Sequence, residues 1–182
     1  MTNNITINGD VACPSGVYML RIKVAAPLSV AFGRFRGGRP VAVAAGDYLY
    51  VGSAMGRGAV SPAGRLLRHA TRSGNRPPHS LRDALLDALR AAGLATPTQQ
   101  PPREKRLHWH IDYLLDEPAA ELSSVTLIRT AAQLESELAR RLAEQPGIAP
   151  LAAGLGAADV PGETHLFTFQ MQGASESIFQ LI

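Results

Sequence analysis

Residues 46–69 read GDYLYVGSAMGRGAVSPAGRLLRH, and this stretch decides the fold. It opens as a strand, turns through glycines and small residues, and continues as a basic helix. Tyr48 and Tyr50 alternate with Leu49 and Val51, which places both tyrosines on one face of a sheet. Gly52 follows, where a substrate backbone can come close because no side chain blocks it. Arg65 and His69 are one helical turn apart and share a helix face. A phenol, a guanidinium and an imidazole on adjoining elements can bind a phosphodiester and promote attack on it. Its one acid, Asp47, alternates with Tyr48 onto the other face, so the rest of the chain must supply an acid to hold a metal ion.

Working outward, residues 16–24 read as a strand, with Val17 and Met19 alternating against Tyr18 and Leu20. Two short apolar runs, 28–33 and 40–45, flank the turn RGGR at 36–39 and predict a β-hairpin tipped by Arg34, Arg36 and Arg39. The periodicity predicts a helix over 63–71, with Leu66, Leu67 and Ala70 inward and Arg65, Arg68, His69 and Arg72 making the other sides cationic. A second helix is predicted over 81–92, capped by Ser80 and ended by Gly93. Residues 96–102 are rich in Pro, Thr and Gln, and 75–103 together look like an insertion.

Alternation over 105–115 predicts a strand that puts His108, His110 and Asp112 on one face and Trp109, Ile111 and Tyr113 on the other. Further expectations are a strand over 124–129, a helix over 131–144, a Gly/Ala/Pro-rich loop over 147–162 and a closing strand over 165–169. Strands and helices mix without regular βαβ alternation. The expected class is therefore α/β in the α+β sense: a small mixed or antiparallel sheet flanked by helices, with an added hairpin and a helical insertion. A single domain spans 15–172, with 1–14 and 173–182 as terminal segments.

Composition narrows the function classes. A chain of 182 residues, 46% hydrophobic, suits one domain with a substantial core. The polar start MTNNITINGD shows no signal peptide, and no run approaches the ~18 apolar residues of a membrane-spanning helix. Cys13 is the single cysteine, which leaves no internal disulfide or cysteine zinc cluster and fits a reducing cytoplasm. The net charge of +3 hides an asymmetry: residues 1–106 hold 15 Lys/Arg against 5 Asp/Glu, and 107–182 hold 3 against 10. Either the basic residues form one cationic face for a polyanion such as nucleic acid, or the charges solvate a surface and pair across it.

Two pieces combine at this point. Gly16-Val17-Tyr18, followed downstream by Tyr50-Val51-Gly52, resembles the paired motif of the GIY-YIG nuclease superfamily. Arg65-Leu66-Leu67-Arg68-His69 resembles the Arg-x-x-x-His on that family's first helix, and Leu134-Glu135-Ser136-Glu137-Leu138 its later helix with the metal-binding glutamate. The hairpin, the HWHIDYL stretch and the closing HLF resemble one branch, known mainly as an uncharacterised domain and sometimes attached to DNA-repair glycosylases.

The resemblance implies hydrolysis of a DNA phosphodiester with one divalent metal, Mg²⁺ or Mn²⁺. It implies that Tyr18 or Tyr50 positions or deprotonates the attacking water, that Arg65 holds the scissile phosphate, that His69 takes a proton and that Glu135 binds the metal. Glu137 is the rival acid, and stands where many family nucleases have an asparagine; Ser53 stands where some have a lysine. Arg34, Arg36, Arg57, Arg68 and Arg72 are expected to position phosphates rather than read bases.

Two readings from other classes stand beside this one. The chain is then a nucleic-acid-binding domain without catalysis, or a metal-binding domain in which His108, His110 and Asp112, joined by His165 from a neighbouring strand, hold Zn²⁺ or Mn²⁺.

Overall fold

The structure is a computed structural model that describes residues 4–156 and 162–170. The residues beyond 170, including the expected terminal segment 173–182, lie outside the described residues. The strands are β1 (Ile5–Gly9), β2 (Gly16–Val24), β3 (Leu28–Val30), β4 (Val41–Val43), β5 (Gly46–Ala54), β6 (Ala120–Arg129), β7 (Ile148–Pro150) and β8 (Leu166–Phe169). The helices are α1 (Pro62–His69), α2 (Arg82–Ala91), α3 (His110–Leu115) and α4 (Glu135–Ala143).

Six strands form a mixed sheet in the order β1-β6-β2-β5-β8-β7, and β3 pairs with β4 as the predicted hairpin. The α+β class is as the sequence indicates. At the centre, β2 runs antiparallel to both β5 and β6, with Tyr18 opposite Gly52 on one side and Leu127 on the other. The β6 register shifts beside Arg21, and Ser123 in the extra position donates its hydroxyl to the Arg21 carbonyl. Within the N-terminal segment 1–14, residues 5–9 form the parallel edge strand β1 against β6.

Two-residue alternation in β2 and β5 sorts the core into two layers. Tyr18, Leu20, Ile22, Tyr48 and Tyr50 face a core completed by Leu66 and Leu67 of α1, Leu85 and Leu89 of α2, and Ile111 and Leu114 of α3. Val17, Met19, Leu49 and Val51 face the other way and pack on Leu138, Ala139 and Leu142 of α4. Full burial of each such leucine is worth roughly 1.5–3 kcal/mol. The supposed insertion is thus part of the main core, because Leu85 and Leu89 of α2 are fully buried in it. Gly93 closes α2 in a left-handed conformation, φ +70°, as expected. Leu81 rather than Ser80 is the N-cap residue, and the Ser80 N–H is taken by Glu121.

The stretch HWHIDYL is not a strand. Residues 110–115 form α3, with Ile111, Leu114 and Leu115 buried at helical spacing. Asp112 accepts hydrogen bonds from the backbone N–H groups of His108 and Trp109, at 3.0 and 3.1 Å, and so ties down the start of the helix. The alternation of aromatic and polar residues misleads because the i, i+3, i+4 apolar set overrides it.

Candidate active site

Gly52 sets the site's geometry. A β-carbon there would stand 2.5 Å from Tyr18 Oη, so the missing side chain makes room for the phenol of the neighbouring strand. This corrects the expectation that the glycine admits a substrate backbone. Tyr18 crosses over Gly52, and its hydroxyl lies 2.9 Å from His69 Nε2 at the end of α1. The rings of Tyr18, Tyr50 and His69 are mutual neighbours, with centroids 5.7–6.4 Å apart.

Helix α1 delivers His69 and Arg65 to this place. Its entry is fixed by Ser61, whose hydroxyl accepts the Gly64 N–H at 3.1 Å, and by Pro62 in the first turn. Arg65 and Arg68 both lie against Trp109, their guanidinium carbons 4.5 and 4.9 Å from its ring centroid. Arg65 is close enough to Tyr18 and Tyr50 for its charge to favour the ionised form of each phenol.

Glu135, the first residue of α4, arrives from the opposite face of the sheet. Ser53 of β5 donates its hydroxyl to Glu135 Oε2, and His165 Nδ1 lies 3.0 Å from Oε1. Glu163 holds the other His165 nitrogen at 3.0 Å. Burial opposes the Glu135 charge, but His165, Ser53 and Arg65 together hold its carboxyl below the usual range, so it is ionised. That negative charge reaches both phenols and raises them. Tyr18, Tyr50, Arg65 and His69 therefore gather in one place, and Glu135 stands beyond them, its charge felt by both phenols and by Arg65. Glu137 does not join them; it is exposed and paired with Arg141 on the same helix.

Burial is the main influence on the two phenols and the imidazole. It pushes Tyr18 and Tyr50 well above the ordinary tyrosine value and holds His69 below the ordinary histidine value. Both tyrosines are protonated near neutral pH and His69 is neutral. His69 is thus an acceptor for a proton, and Tyr18 is a donor beside it.

The remaining predicted residues divide. Arg34, Arg36 and Arg57 are exposed, on the hairpin tip and the loop before α1. Arg68 is committed to Asp112 at 2.8 Å, and Arg72 is buried against Glu121, His79 and the Ala120 and Pro77 carbonyls. Neither Arg68 nor Arg72 is available as a phosphate contact. Acids from the second half of the chain have paired with these bases, which is the second of the two charge readings.

The strand-face metal site also fails. His108 is exposed, His110 Nδ1 accepts the Gly156 N–H at 3.1 Å, and Asp112 is enclosed by Arg68 and backbone donors. With α3 replacing the strand, the three side chains no longer share a face, and His165 lies with Glu135 instead. Among the described residues no group of three or more His, Cys, Asp or Glu is arranged to hold a metal. Beside the phenol and imidazole cluster, Glu135 offers an ionised carboxylate. That fits a hard divalent cation that keeps most of its own waters, and does not fit a zinc cage.

Ser53 and His165 were not foreseen as partners of Glu135. The only sequence signal was their position at the ends of β5 and β8, which hydrogen-bond to each other through Val51 N–H and the His165 carbonyl at 3.0 Å. No helix among the described residues is long and apolar enough to cross a membrane. No curated protein and no solved structure matches the chain. A family model described as "Domain of unknown function DUF123" matches residues 17–182, and the chain belongs to that family.

Proposed function

We propose that this protein is a metal-dependent DNA endonuclease of the GIY-YIG type, hydrolysing phosphodiester bonds in the setting of DNA repair and working in the cytoplasm. The observation that supports this reading is the cluster of two phenols, a guanidinium and a neutral imidazole from β2, β5 and α1, with the ionised Glu135 of α4 near enough for its charge to act on them. Arg65 holds a nonbridging phosphate oxygen and stabilises the charge that grows there in the transition state. Tyr18 accepts a proton from the attacking water as it gives its own to His69 Nε2; the resulting hydroxide forms a bond to phosphorus as the bond to the ester oxygen breaks, and that oxygen takes a proton from solvent while His69 later returns its own. Burial makes Tyr18 too weak an acid to work as a standing phenolate, so the paired transfer with His69 is the route open to it. Tyr50 packs beside both rings and keeps them in register.

Glu135 is the residue that would hold Mg²⁺ or Mn²⁺. Such an ion supplies positive charge to the phosphate. Arg34, Arg36 and Arg57 are exposed, and in this reading they are the cations that contact the DNA backbone outside the site.

The test is cleavage of labelled flap, branched and plain duplex DNA across a titration of Mg²⁺ and Mn²⁺, beside Glu135→Ala. Metal-dependent nicking by the wild type, lost in the variant, supports the reading. Salt-sensitive DNA binding with no cleavage at any metal concentration replaces it with that of a binding domain.

A further inference from the structure

Asp112 is fully buried and lies directly behind His69, on the side away from Tyr18. Its two oxygens have different surroundings. Oδ2 takes three donors: Arg68 Nη2 at 2.8 Å, His108 N–H at 3.0 Å and Trp109 N–H at 3.1 Å. Oδ1 faces His69 Nδ1 at 3.5 Å and Lys105 Nζ at 3.9 Å. At 3.5 Å the His69 contact is longer than a formed hydrogen bond. Yet Oδ1 and Nδ1 are both buried, and neither has another hydrogen-bond partner among the described residues. Lys105 Nζ is likewise buried without a hydrogen-bond partner, but it stands farther off, and a carboxylate oxygen has lone pairs for both donors, so Oδ1 is the partner that Nδ1 faces.

We propose that Asp112 is a positioning residue that fixes His69 in the Nδ1–H tautomer and thereby leaves Nε2 as the acceptor for the Tyr18 proton. Only an N–H at Nδ1 can face a carboxylate; a lone pair there would meet another lone pair. The proton on Nδ1 leaves a lone pair on Nε2, which is the atom 2.9 Å from the Tyr18 hydroxyl. When Tyr18 passes its proton to Nε2, Nδ1–H remains with Asp112, and the imidazolium sits against a negative charge. Trp109 and Tyr50, each with its ring centroid 6.2 Å from that of His69, limit rotation of the imidazole. The catalytic consequence rests on the nuclease reading; the tautomer does not.

Asp112→Asn makes the inference testable, because the three donors at Oδ2 select the amide oxygen for that place. The amide NH₂ then points at His69 Nδ1, which has to accept, and the proton moves to Nε2. In ¹⁵N spectra of the imidazole, the wild type is expected to show a protonated Nδ1 and a bare Nε2, and Asp112→Asn the reverse. The variant's kcat for DNA cleavage is expected to fall by about 10²- to 10⁴-fold with KM little changed. A purely structural Asp112 predicts the same tautomer in both proteins.

A wild-type His69 protonated on Nε2, or on both nitrogens, overturns the inference, and that spectrum decides even if Asp112→Asn fails to fold. A tautomer exchange without any wild-type cleavage supports the positioning role and removes the nuclease reading. Cleavage by wild type and Asp112→Asn alike, with one unchanged tautomer, removes the positioning role and keeps the nuclease.

Discussion

The Tyr18 hydroxyl and His69 Nε2 stand 2.9 Å apart and join β2 to the end of α1 across 51 residues of sequence. Both groups are buried, so the bond is structural as well as chemical. Tyr18→Phe removes the hydroxyl and leaves Nε2 without its donor, at a cost of about 1–3 kcal/mol in denaturant unfolding. Tyr18→Phe and His69→Ala are each expected to reduce DNA cleavage by about 10²- to 10⁴-fold. The double variant is expected to lose little more than either single one, since the proposed proton transfer needs both groups. Additive losses in the cleavage assay would show that they act separately.

Gly52→Ala tests the same arrangement from the strand below. The added β-carbon would meet Tyr18 Oη at 2.5 Å and Cζ at 2.6 Å, and a buried ring cannot yield as a flexible side-chain end can. Overpacking of this kind costs about 1–3 kcal/mol. Cleavage is expected to fall as far as in Tyr18→Phe, because the phenol is driven off His69. A Gly52→Ala protein with full activity and unchanged stability would mean that Tyr18 has room to move.

Arg65 and Trp109 make a third test. The indole under Arg65 orients the guanidinium without neutralising it. Arg65→Ala is expected to cost about 10²- to 10³-fold in cleavage, the size seen when one transition-state donor is lost. Arg65→Lys is not expected to restore it, since an ammonium neither stacks as flatly nor donates in a fork. Trp109→Leu keeps Arg65 but loses the stacking, worth about 0.5–2 kcal/mol, so a fall of about 2- to 30-fold is expected. An unaffected Trp109→Leu protein would show that the indole does not orient Arg65.

Much of this geometry was legible in the sequence, and the rest was hidden for physical reasons. Alternation in β2 and β5 placed Tyr18 and Tyr50 correctly, because both strands are central and one-residue slips would invert their faces. The four-residue spacing placed Arg65 and His69 together. Glu135 rested on the family resemblance, and its partners Ser53 and His165 were invisible because a sequence does not reveal where the ends of β5 and β8 meet α4. The stretch 105–115 was misread because Trp109, Ile111 and Tyr113 alternate in a two-residue pattern, while the helical set Ile111, Leu114 and Leu115 is only one turn long. With the strand went the metal face, and Asp112 passed from candidate ligand to the carboxylate behind His69. The charge of Arg72 pointed outward on a helical wheel, but α1 ends at His69, and beyond it Arg72 turns in to meet Glu121.

Arg72 and Glu121 surround a further histidine whose titration predicts how stability depends on pH. His79 is almost fully buried. Its Nδ1 accepts from Leu122 N–H at 3.0 Å and lies 3.2 Å from Arg72 Nη2, and its Nε2 is 2.9 Å from the Leu115 carbonyl, to which it donates. A proton on Nδ1 would face two donors in a buried place, with only Glu121 Oε2, at 3.2 Å, to receive it. Burial first, and then the Arg72 charge, push His79 from 6.5 down to about 4, against a smaller upward pull from Glu121.

Because the folded value is the lower one, the unfolded chain binds the proton first. The group is neutral in both states above about pH 6.5 and contributes nothing there. Stability falls as pH drops from about 6.5 to 4, by about 3 kcal/mol in all for this residue. His79→Asn keeps an acceptor for Leu122 N–H and cannot be protonated. It is expected to be less stable at pH 7.5, through loss of the bond to Leu115, and to show a shallower decline between pH 6.5 and 4. Urea unfolding at half-unit pH steps measures both slopes. Parallel curves for the two proteins would show that His79 is not the group that titrates, and would leave the acid sensitivity to carboxylates such as Glu121 and Asp116, whose folded values are lowered and whose contribution is lost only at more acidic pH.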